Sequence, residues 1–140
     1  MNTLPILRGR DNQGAGCYGA RRGGRLHRGV DCCSNAGEVT LLEPGDAVRA
    51  ACSGFVSKVG YPYAHDLSFR YVEITDRDGF EVRHFYVAPS VQEGDEVERG
   101  EMIGALQRLP YKGITQHWHL EVKRRGDYHD PLLYLCGELR

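Results

Sequence analysis

The sequence predicts an all-β domain built from antiparallel sheets, with at most a minor helix. Turn signals rich in glycine recur at short intervals along the 140 residues, and short runs rich in valine, tyrosine and phenylalanine lie between them. No stretch carries an apolar stripe of helical period over three or more turns. These observations together favour a small sandwich or barrel-like architecture.

Five apolar runs have the character of β-strands. They cover residues 47–59, 69–75, 81–87, 102–106 and 118–123. The first run is long, and Gly54 is the place where we expect it to bend. Between the second and third runs, TDRDGFEV predicts a hairpin turn. We expect residues 61–70 to form a longer loop, and the tail DPLLYLCGELR to pack back as a short helix or turn.

Composition indicates a globular protein and excludes some functions. The formal net charge is −1, so no overall field attracts nucleic acid or an anionic membrane. No apolar run approaches the roughly 20 residues that a membrane-spanning helix needs. We expect the basic cluster RRGGRLHRG (21–29) to be a solvated loop. The length suits one domain, which we place at residues 14–140 after an N-terminal extension of residues 1–13.

The cysteines do not indicate a disulfide framework. They are Cys17, Cys32, Cys33, Cys52 and Cys136, an odd number without a CxxC pair. Cys32 and Cys33 are adjacent, and the geometry of a disulfide disfavours a bond between neighbours. We expect mostly reduced thiols, with one or two bridges still possible, and no zinc knuckle.

The stretch HWHLEV (117–122) alternates polar and apolar residues, as a strand with one buried face does. His117 and His119 therefore point to the same side, opposite Trp118, which we expect in the core. Glu121 shares the face of the two histidines. It could orient one of them or form an edge salt bridge.

A second motif, HRGVD (27–31), supplies a histidine and an aspartate that share a face of an extended segment. Zinc binds neutral imidazole nitrogen and carboxylate oxygen, and a catalytic zinc has three protein ligands with a fourth position open. His27, Asp31 and one histidine of the HWH pair would provide those three ligands. The other histidine would stand beside the metal, where it could move a proton or hold an oxyanion.

The order of these motifs resembles that of the lysostaphin-type zinc endopeptidases, which cut peptides of bacterial cell walls. The matching segments, from about Gly14 to Leu135, are YGARRGGRLHRGVD (18–31), ACSGFVSKVG (51–60), VRHFYV (82–87), GDEVERGEMIG (94–104), HWHLEV (117–122) and DP (130–131). Each motif is modest alone, and the set in this order is specific.

The resemblance implies roles for individual residues. His27, Asp31 and His119 would be the ligands of a zinc ion, which is the expected cofactor. His84 and His117 would flank the metal as general base and as stabiliser of the tetrahedral intermediate, in either order. The family fold is antiparallel β with a groove over the metal, so residues 14–140 would be a zinc peptidase domain. His65 and His129 fall outside the motifs, and we expect both at the surface.

Two functions follow from the resemblance. The favoured one is a zinc endopeptidase that hydrolyses peptide bonds in peptidoglycan stems or cross-bridges by a metal-activated water. The alternative is a secreted binding protein similar to the leukocyte-derived chemotaxins of animals, which resemble the same family and keep zinc without a complete catalytic set. We take His84 as the residue that discriminates the two, because a scaffold that only binds needs no imidazole there.

The expected place of action is the bacterial cell wall, outside the membrane, with peptidoglycan peptides as partner and neither nucleic acid nor a membrane span involved. The first residues, MNTLPILRGRDNQ, do not have the apolar core of an export signal. We therefore expect a trimmed mature form, a phage lysis enzyme (an endolysin) or an antimicrobial protein delivered by another machine.

Overall fold

The part of the chain that the structure describes forms three antiparallel sheets and one short helix. A computed structural model describes residues 4–9, 18–19, 21–22 and 25–139. The strands within these ranges are β1 (Arg21–Arg22), β2 (Arg25–Leu26), β3 (Val30–Cys32), β4 (Ala47–Arg49), β5 (Gly54–Gly60), β6 (Tyr71–Thr75), β7 (Glu81–Phe85), β8 (Val87–Pro89), β9 (Glu96–Val97), β10 (Met102–Leu106), β11 (Trp118–Arg124) and β12 (Asp127–His129); the helix is α1 (Pro131–Leu135).

The largest sheet has the order β12-β11-β7-β6-β5-β9, and β3 pairs with β11 beside it. A second sheet has the order β4-β10-β8, and β1 pairs with β2 alone. The larger sheets are open rather than closed into a barrel. The predicted antiparallel all-β class is therefore confirmed. The basic segment that we expected to be a loop contains the β1–β2 pair.

One apolar core lies between the two larger sheets. The large sheet contributes residues such as Val72, Val82 and Leu120, and the small sheet contributes Val48 and Ile103; all five are fully buried. Alternation along each strand places these side chains on one face. The other face of the large sheet is left to polar and aromatic side chains, and this face carries the candidate site.

Residues 47–59 form two strands rather than one bent strand. β4 belongs to the small sheet and β5 to the large one. The chain crosses between the sheets at residues 50–53, where Ala50 N–H donates to Glu101 O and Ala51 N–H donates to the ring of His84. At the start of β5, a Cβ on Gly54 would lie 2.2 Å from Thr75 O, so only glycine allows this approach.

The predicted strand at residues 81–87 is likewise interrupted. Tyr86 has a φ of 69°, a left-handed conformation uncommon for a residue other than glycine. The carbonyl of Arg70 accepts from both Tyr86 N–H and Val87 N–H at this point. The chain ends β7, turns at Tyr86 and enters the small sheet as β8.

Two Gly-Asp-x-Val phrases form the same turn. Gly45 and Gly94 both have a φ of 94°. The carboxylates of Asp46 and Asp95 each accept from a backbone N–H three residues earlier, at 2.8 and 2.9 Å. The valines that follow enter β4 and β9.

The predicted hairpin and tail helix are both present. Asp76 closes the β6–β7 turn by accepting from Asp78 N–H and Phe80 N–H, and its other oxygen accepts from the hydroxyl of Tyr134 on α1. Residues 61–70 form the expected loop. No described helix has the length and apolarity needed to span a membrane.

Residues 4–9, which we assigned to an N-terminal extension, pack along β3. Leu7 bridges to Cys32, and Leu7 also packs against the core. Residues 1–3 and 10–13 of this extension, and also Cys17, lie outside the described residues.

Candidate metal centre and cleft

The pairing of β3 with β11 brings the two sequence motifs together. In this register Asp31 lies opposite His119. Trp118 is fully buried in the core, and its indole N–H donates to Ser34 O at 3.1 Å, so the flanking histidines point to the other face as predicted. A Cβ on Gly29 would lie 2.1 Å from Leu120 O and 2.9 Å from His119 Nε2. The glycine of the HxGxD motif therefore permits the close contact between these segments.

Three donor atoms converge at this point. His27 Nε2 lies 3.0 Å from His119 Nδ1 and 3.2 Å from Asp31 Oδ1, and the last two atoms are 2.8 Å apart. A tetrahedral zinc with ligands at about 2.0–2.1 Å separates its donors by about 3.3 Å. The observed spacing is slightly smaller than this, and two imidazole nitrogens with one carboxylate oxygen suit zinc. His27, Asp31 and His119, a triad whose ligand atoms form what we call the donor cluster, therefore fit a zinc ion.

Charge at the triad is concentrated on Asp31. Burial alone would raise the pKa of its carboxyl, but hydrogen bonds with His119 and His27 and the nearby His117 hold that pKa well below its usual range. Burial would lower the pKa of His119, but Asp31 and Glu121 outweigh burial and raise it to about 9. A deprotonated carboxylate among imidazoles attracts a cation.

Glu121 contacts the triad from outside. Its Oε2 lies 2.9 Å from His119 Nε2, the ring nitrogen that faces away from the donor cluster. Burial would raise the pKa of Glu121, but the contact with His119 lowers it, so this side chain is ionised. A carboxylate on the distal nitrogen of a metal-ligating histidine fixes its tautomer and ring orientation. Glu121 was expected either to orient a histidine or to form an edge salt bridge, and its contact with His119 favours the first role.

His117 lies beside the triad, and its surroundings favour the neutral ring. Its Nε2 is 3.6 Å from Asp31 Oδ2, and its Nδ1 is 2.7 Å from Thr115 O. A backbone carbonyl only accepts, so Nδ1 carries the proton and Nε2 is left with a lone pair. Burial lowers the pKa of His117, although Asp31 opposes this. The side chain can therefore accept a proton at Nε2.

The structure does not bring His84 to this site. His84 is fully buried in the core, where its Nε2 accepts from Ala51 N–H, its Nδ1 lies 3.2 Å from Val72 O, and its ring stacks on Trp118. Burial lowers its pKa to about 4. The expectation that His84 flanks the metal is corrected, because alternation along β7 places it on the core face together with Val82.

Sequence reasoning missed Tyr86, which lines the cleft. The left-handed turn at this residue directs its side chain to the groove face, with its ring 5.9 Å from that of His117. The hydroxyl of Tyr86 lies 2.6 Å from that of Tyr63. Burial raises the pKa of Tyr86 above its ordinary value, so the hydroxyl keeps its proton. No residue in VRHFYV signals the turn.

A cleft of about 390 Å³ opens above the triad. Its described lining includes Arg8, the donor cluster and three tyrosines, Tyr63, Tyr86 and Tyr111. The remaining two histidines lie elsewhere. His65 is exposed, and His129 is half-buried against the ring of Phe80.

Two relatives of known identity are similar to this chain in sequence. Leukocyte cell-derived chemotaxin-2 of Bos taurus is 32% identical over 127 residues, which are 89% of this chain and 76% of that protein. The protein of the same name from Mus musculus is 33% identical over 128 residues, with the same coverage.

Solved structures share the fold. Lysostaphin from Staphylococcus simulans, an antimicrobial peptidase, superimposes with a TM-score of 0.69 at 19% identity, over 96% of this chain and 56% of that one. The chain thus spans about half the length of lysostaphin. The catalytic domain of EnpA, a prophage-encoded M23 protein of Enterococcus faecalis, was solved as a mutant and gives a TM-score of 0.65 at 21% identity, over 94% of this chain and 97% of that one.

The family model described as Peptidase family M23 matches residues 25–131. The matched segment spans β2 through the first residue of α1 and contains both motifs of the donor cluster. Motif order, antiparallel fold and family match agree, and the chain belongs to peptidase family M23.

Proposed function

We propose that this protein is a zinc-dependent endopeptidase that hydrolyses peptide bonds in bacterial peptidoglycan. One observation carries the proposal. His27, Asp31 and His119 place three donor atoms within about 3 Å of one another, and His117 stands beside them with its Nε2 3.6 Å from Asp31 Oδ2. Membership of a peptidase family and the lysostaphin-like fold support the reaction class.

The three donor residues would hold the ion. Bound zinc supplies Lewis-acid chemistry, since it polarises a carbonyl and makes water more acidic. Glu121 holds the ring of His119 in the orientation that directs Nδ1 to the donor cluster. These contacts preorganise the site before substrate enters.

His117 would act as general base. Its Nδ1 proton is held by Thr115 O, which leaves Nε2 as an acceptor on a side chain that lines the cleft. An imidazole that is neutral near pH 7 can take the proton from an attacking water and return it to the leaving amine. The lowered pKa of His117 supports this role.

Tyr86 would stabilise the oxyanion in the place that the sequence reasoning gave to a second histidine. Its hydroxyl stays protonated and is hydrogen-bonded to that of Tyr63. A positioned hydroxyl donor aimed at developing negative charge lowers the barrier to acyl transfer. In this assignment His117 and Tyr86, rather than His117 and His84, perform the proton transfer and the charge stabilisation.

The test is hydrolysis of purified peptidoglycan with zinc content measured in parallel. The parent should carry about one zinc per chain, and a chelator should abolish release of soluble fragments. His117→Ala should keep zinc and lose activity, whereas His119→Ala should lose both. Mass spectrometry of the fragments would identify the bond. A parent that binds zinc and releases no fragment from any wall type would contradict the proposal.

The second candidate is a zinc-containing binding protein similar to the chemotaxins. The placement of His84 favours it, since the residue that we took to discriminate the two functions lies in the core. Among the described residues, His117 is the one imidazole that lines the cleft beside the donor cluster. Bound zinc without hydrolysis, in the parent and in His117→Ala alike, would favour this candidate.

A further inference from the structure

The segment formed by residues 4–9 is attached to the strand that carries Asp31. Arg8 N–H donates to Asp31 O at 2.8 Å, and Cys33 N–H donates to Ile6 O at 2.7 Å. Ile6 N–H donates to the hydroxyl of Ser34, and Gly37 N–H donates to Leu4 O. These bonds run along the whole described segment, so its path is fixed relative to β3.

The side chain of Arg8 ends on the candidate metal ligand. Arg8 Nε and Nη2 both donate to Asp31 Oδ2, at 3.0 and 2.8 Å. The pair is removed from water, with the side chain of Arg8 1% exposed and that of Asp31 5% exposed. The two oxygens of Asp31 are therefore divided. Oδ2 faces Arg8, and Oδ1 faces His27 and His119.

We infer that Arg8 is a positioning residue of the metal centre, which holds Asp31 as a ligand through Oδ1 alone, and that residues 4–9 belong to the functional domain. The inference rests on the zinc-binding part of the proposed function and not on hydrolysis. The described part of residues 1–13 is then part of the site and not an extension outside the domain.

The shape of the arginine side chain is what the role requires. Two charge-assisted N–H bonds from one guanidinium to the same oxygen hold Oδ2 in place on the Arg8 side, which leaves Oδ1 on the side of the two histidines. Lysine keeps the charge but is a point donor on a flexible stem, so it cannot reproduce this geometry. Without any donor, Oδ2 would be free to turn toward the ion.

The test compares Arg8→Met and Arg8→Lys with the parent in the full chain. Zinc affinity is measured by competition with a chromophoric chelator, and ligand geometry by the visible absorption of the cobalt(II)-substituted protein. Thermal unfolding in excess chelator reports the metal-free stability. Arg49→Met is the control, since Arg49 donates to Gly100 O and lies near Glu38, away from the cleft.

We expect Arg8→Met to bind zinc about 10- to 100-fold more weakly, as is typical when a partner of a ligand is lost. Arg8→Lys should resemble Arg8→Met, both variants should shift the cobalt spectrum, and Arg49→Met should match the parent. Parental affinity and spectrum in Arg8→Met would show that Arg8 serves stability only. Parental behaviour in Arg8→Lys would show that charge suffices. Either result overturns the inference, and Arg8→Lys decides the question if Arg8→Met does not fold.

The measurements distinguish a failure of the proposed hydrolysis from a failure of the role of Arg8. A parent that binds zinc without cleaving peptidoglycan contradicts the hydrolysis and leaves the role of Arg8 supported by the affinities. A parent that binds no zinc contradicts both.

Discussion

His117 and His119 are two residues apart on one face, yet their surroundings favour opposite protonation states. Asp31 and Glu121 contact the two ring nitrogens of His119 and raise its pKa to about 9. His117 has a backbone carbonyl on one nitrogen, and burial lowers its pKa. Zinc binds neutral imidazole, so an ion at the donor cluster would replace the Nδ1 proton of His119 while Glu121 holds the Nε2 proton. A histidine that stays neutral suits a base.

Tyr86→Phe tests the oxyanion role. Removing one hydroxyl should lower kcat about 10²- to 10³-fold, because the proposed hydrogen-bond donor to the developing negative charge is lost. Zinc content and KM should change little. The control is Tyr61→Phe, which removes a hydroxyl from an exposed tyrosine outside the described cleft lining. Equal kcat in Tyr86→Phe and the parent would rule out this role.

His84→Gln tests the core assignment of His84. The amide oxygen can still accept from Ala51 N–H, but the stacking on Trp118 is lost, so we expect a cost of about 1–2 kcal/mol at pH 7. Zinc content and activity per folded molecule should match the parent. A folded variant with full zinc and no activity would contradict the core role.

The same variant should lose a pH dependence of stability. Burial lowers the pKa of His84 to about 4 from an ordinary value of 6.5. Between those values the unfolded chain binds the extra proton, so the parent loses stability as the pH falls, by about 2 kcal/mol between pH 7 and pH 5. Urea unfolding at both pH values should show this loss reduced in His84→Gln. An identical loss in both proteins would show that His84 is not responsible.

At this scale, the sequence predicted three ligand residues that the structure brings together, and it placed His84 on the wrong face. Alternation in HWHLEV placed Trp118 in the core and the histidines opposite it, as observed. The same rule applied to EVRHF puts His84 on the face of Val82, opposite Arg83. We nevertheless expected His84 beside the metal, because its place in the order of motifs matched the family. Tyr86 could not be found in this way, because a left-handed residue interrupts the alternation and no glycine marks it.

Among the elements, the β3–β11 pair positions the site. Its register sets Asp31 against His119, and Gly29 lets the chain before β3 approach β11. The long runs 47–59 and 81–87 show what apolar patterns leave undetermined. Each run was predicted as one strand, but each passes from one sheet to the other, and long-range hydrogen bonds to Glu101, His84 and Arg70 lie at the crossings.

Gly29→Ala tests the close approach. A methyl group 2.1 Å from Leu120 O must displace backbone, so we expect a loss of stability of about 3 kcal/mol or more and a weakened metal site. Gly9→Ala is the matched control, since nothing lies within 4 Å of its added Cβ. Chemical denaturation and zinc titration measure both effects. Equal stability in the two variants would contradict the packing described for Gly29.

For the whole molecule, the candidate site exists only in the folded chain. His27 and Asp31 lie 92 and 88 residues from His119 in sequence, so the donors meet only after the large sheet has formed. An ion that binds this arrangement and not the unfolded chain stabilises the fold by linkage.

Zinc should therefore raise the unfolding temperature. At a free concentration 100 times Kd the stabilisation is about 2.7 kcal/mol, which corresponds to a rise of several degrees for a domain of this size. His119→Ala should show no such rise. Differential scanning fluorimetry with zinc and with chelator makes the comparison, and an equal rise in parent and variant would place the ion elsewhere.

The central claim is that His27, Asp31 and His119 hold one zinc ion. Anomalous diffraction from crystals of the purified protein, recorded on both sides of the zinc absorption edge, tests it most directly. The account predicts one strong peak about 2.0–2.2 Å from His27 Nε2, Asp31 Oδ1 and His119 Nδ1. A zinc peak bound by other residues, or no peak at these three atoms in zinc-soaked crystals, would contradict it.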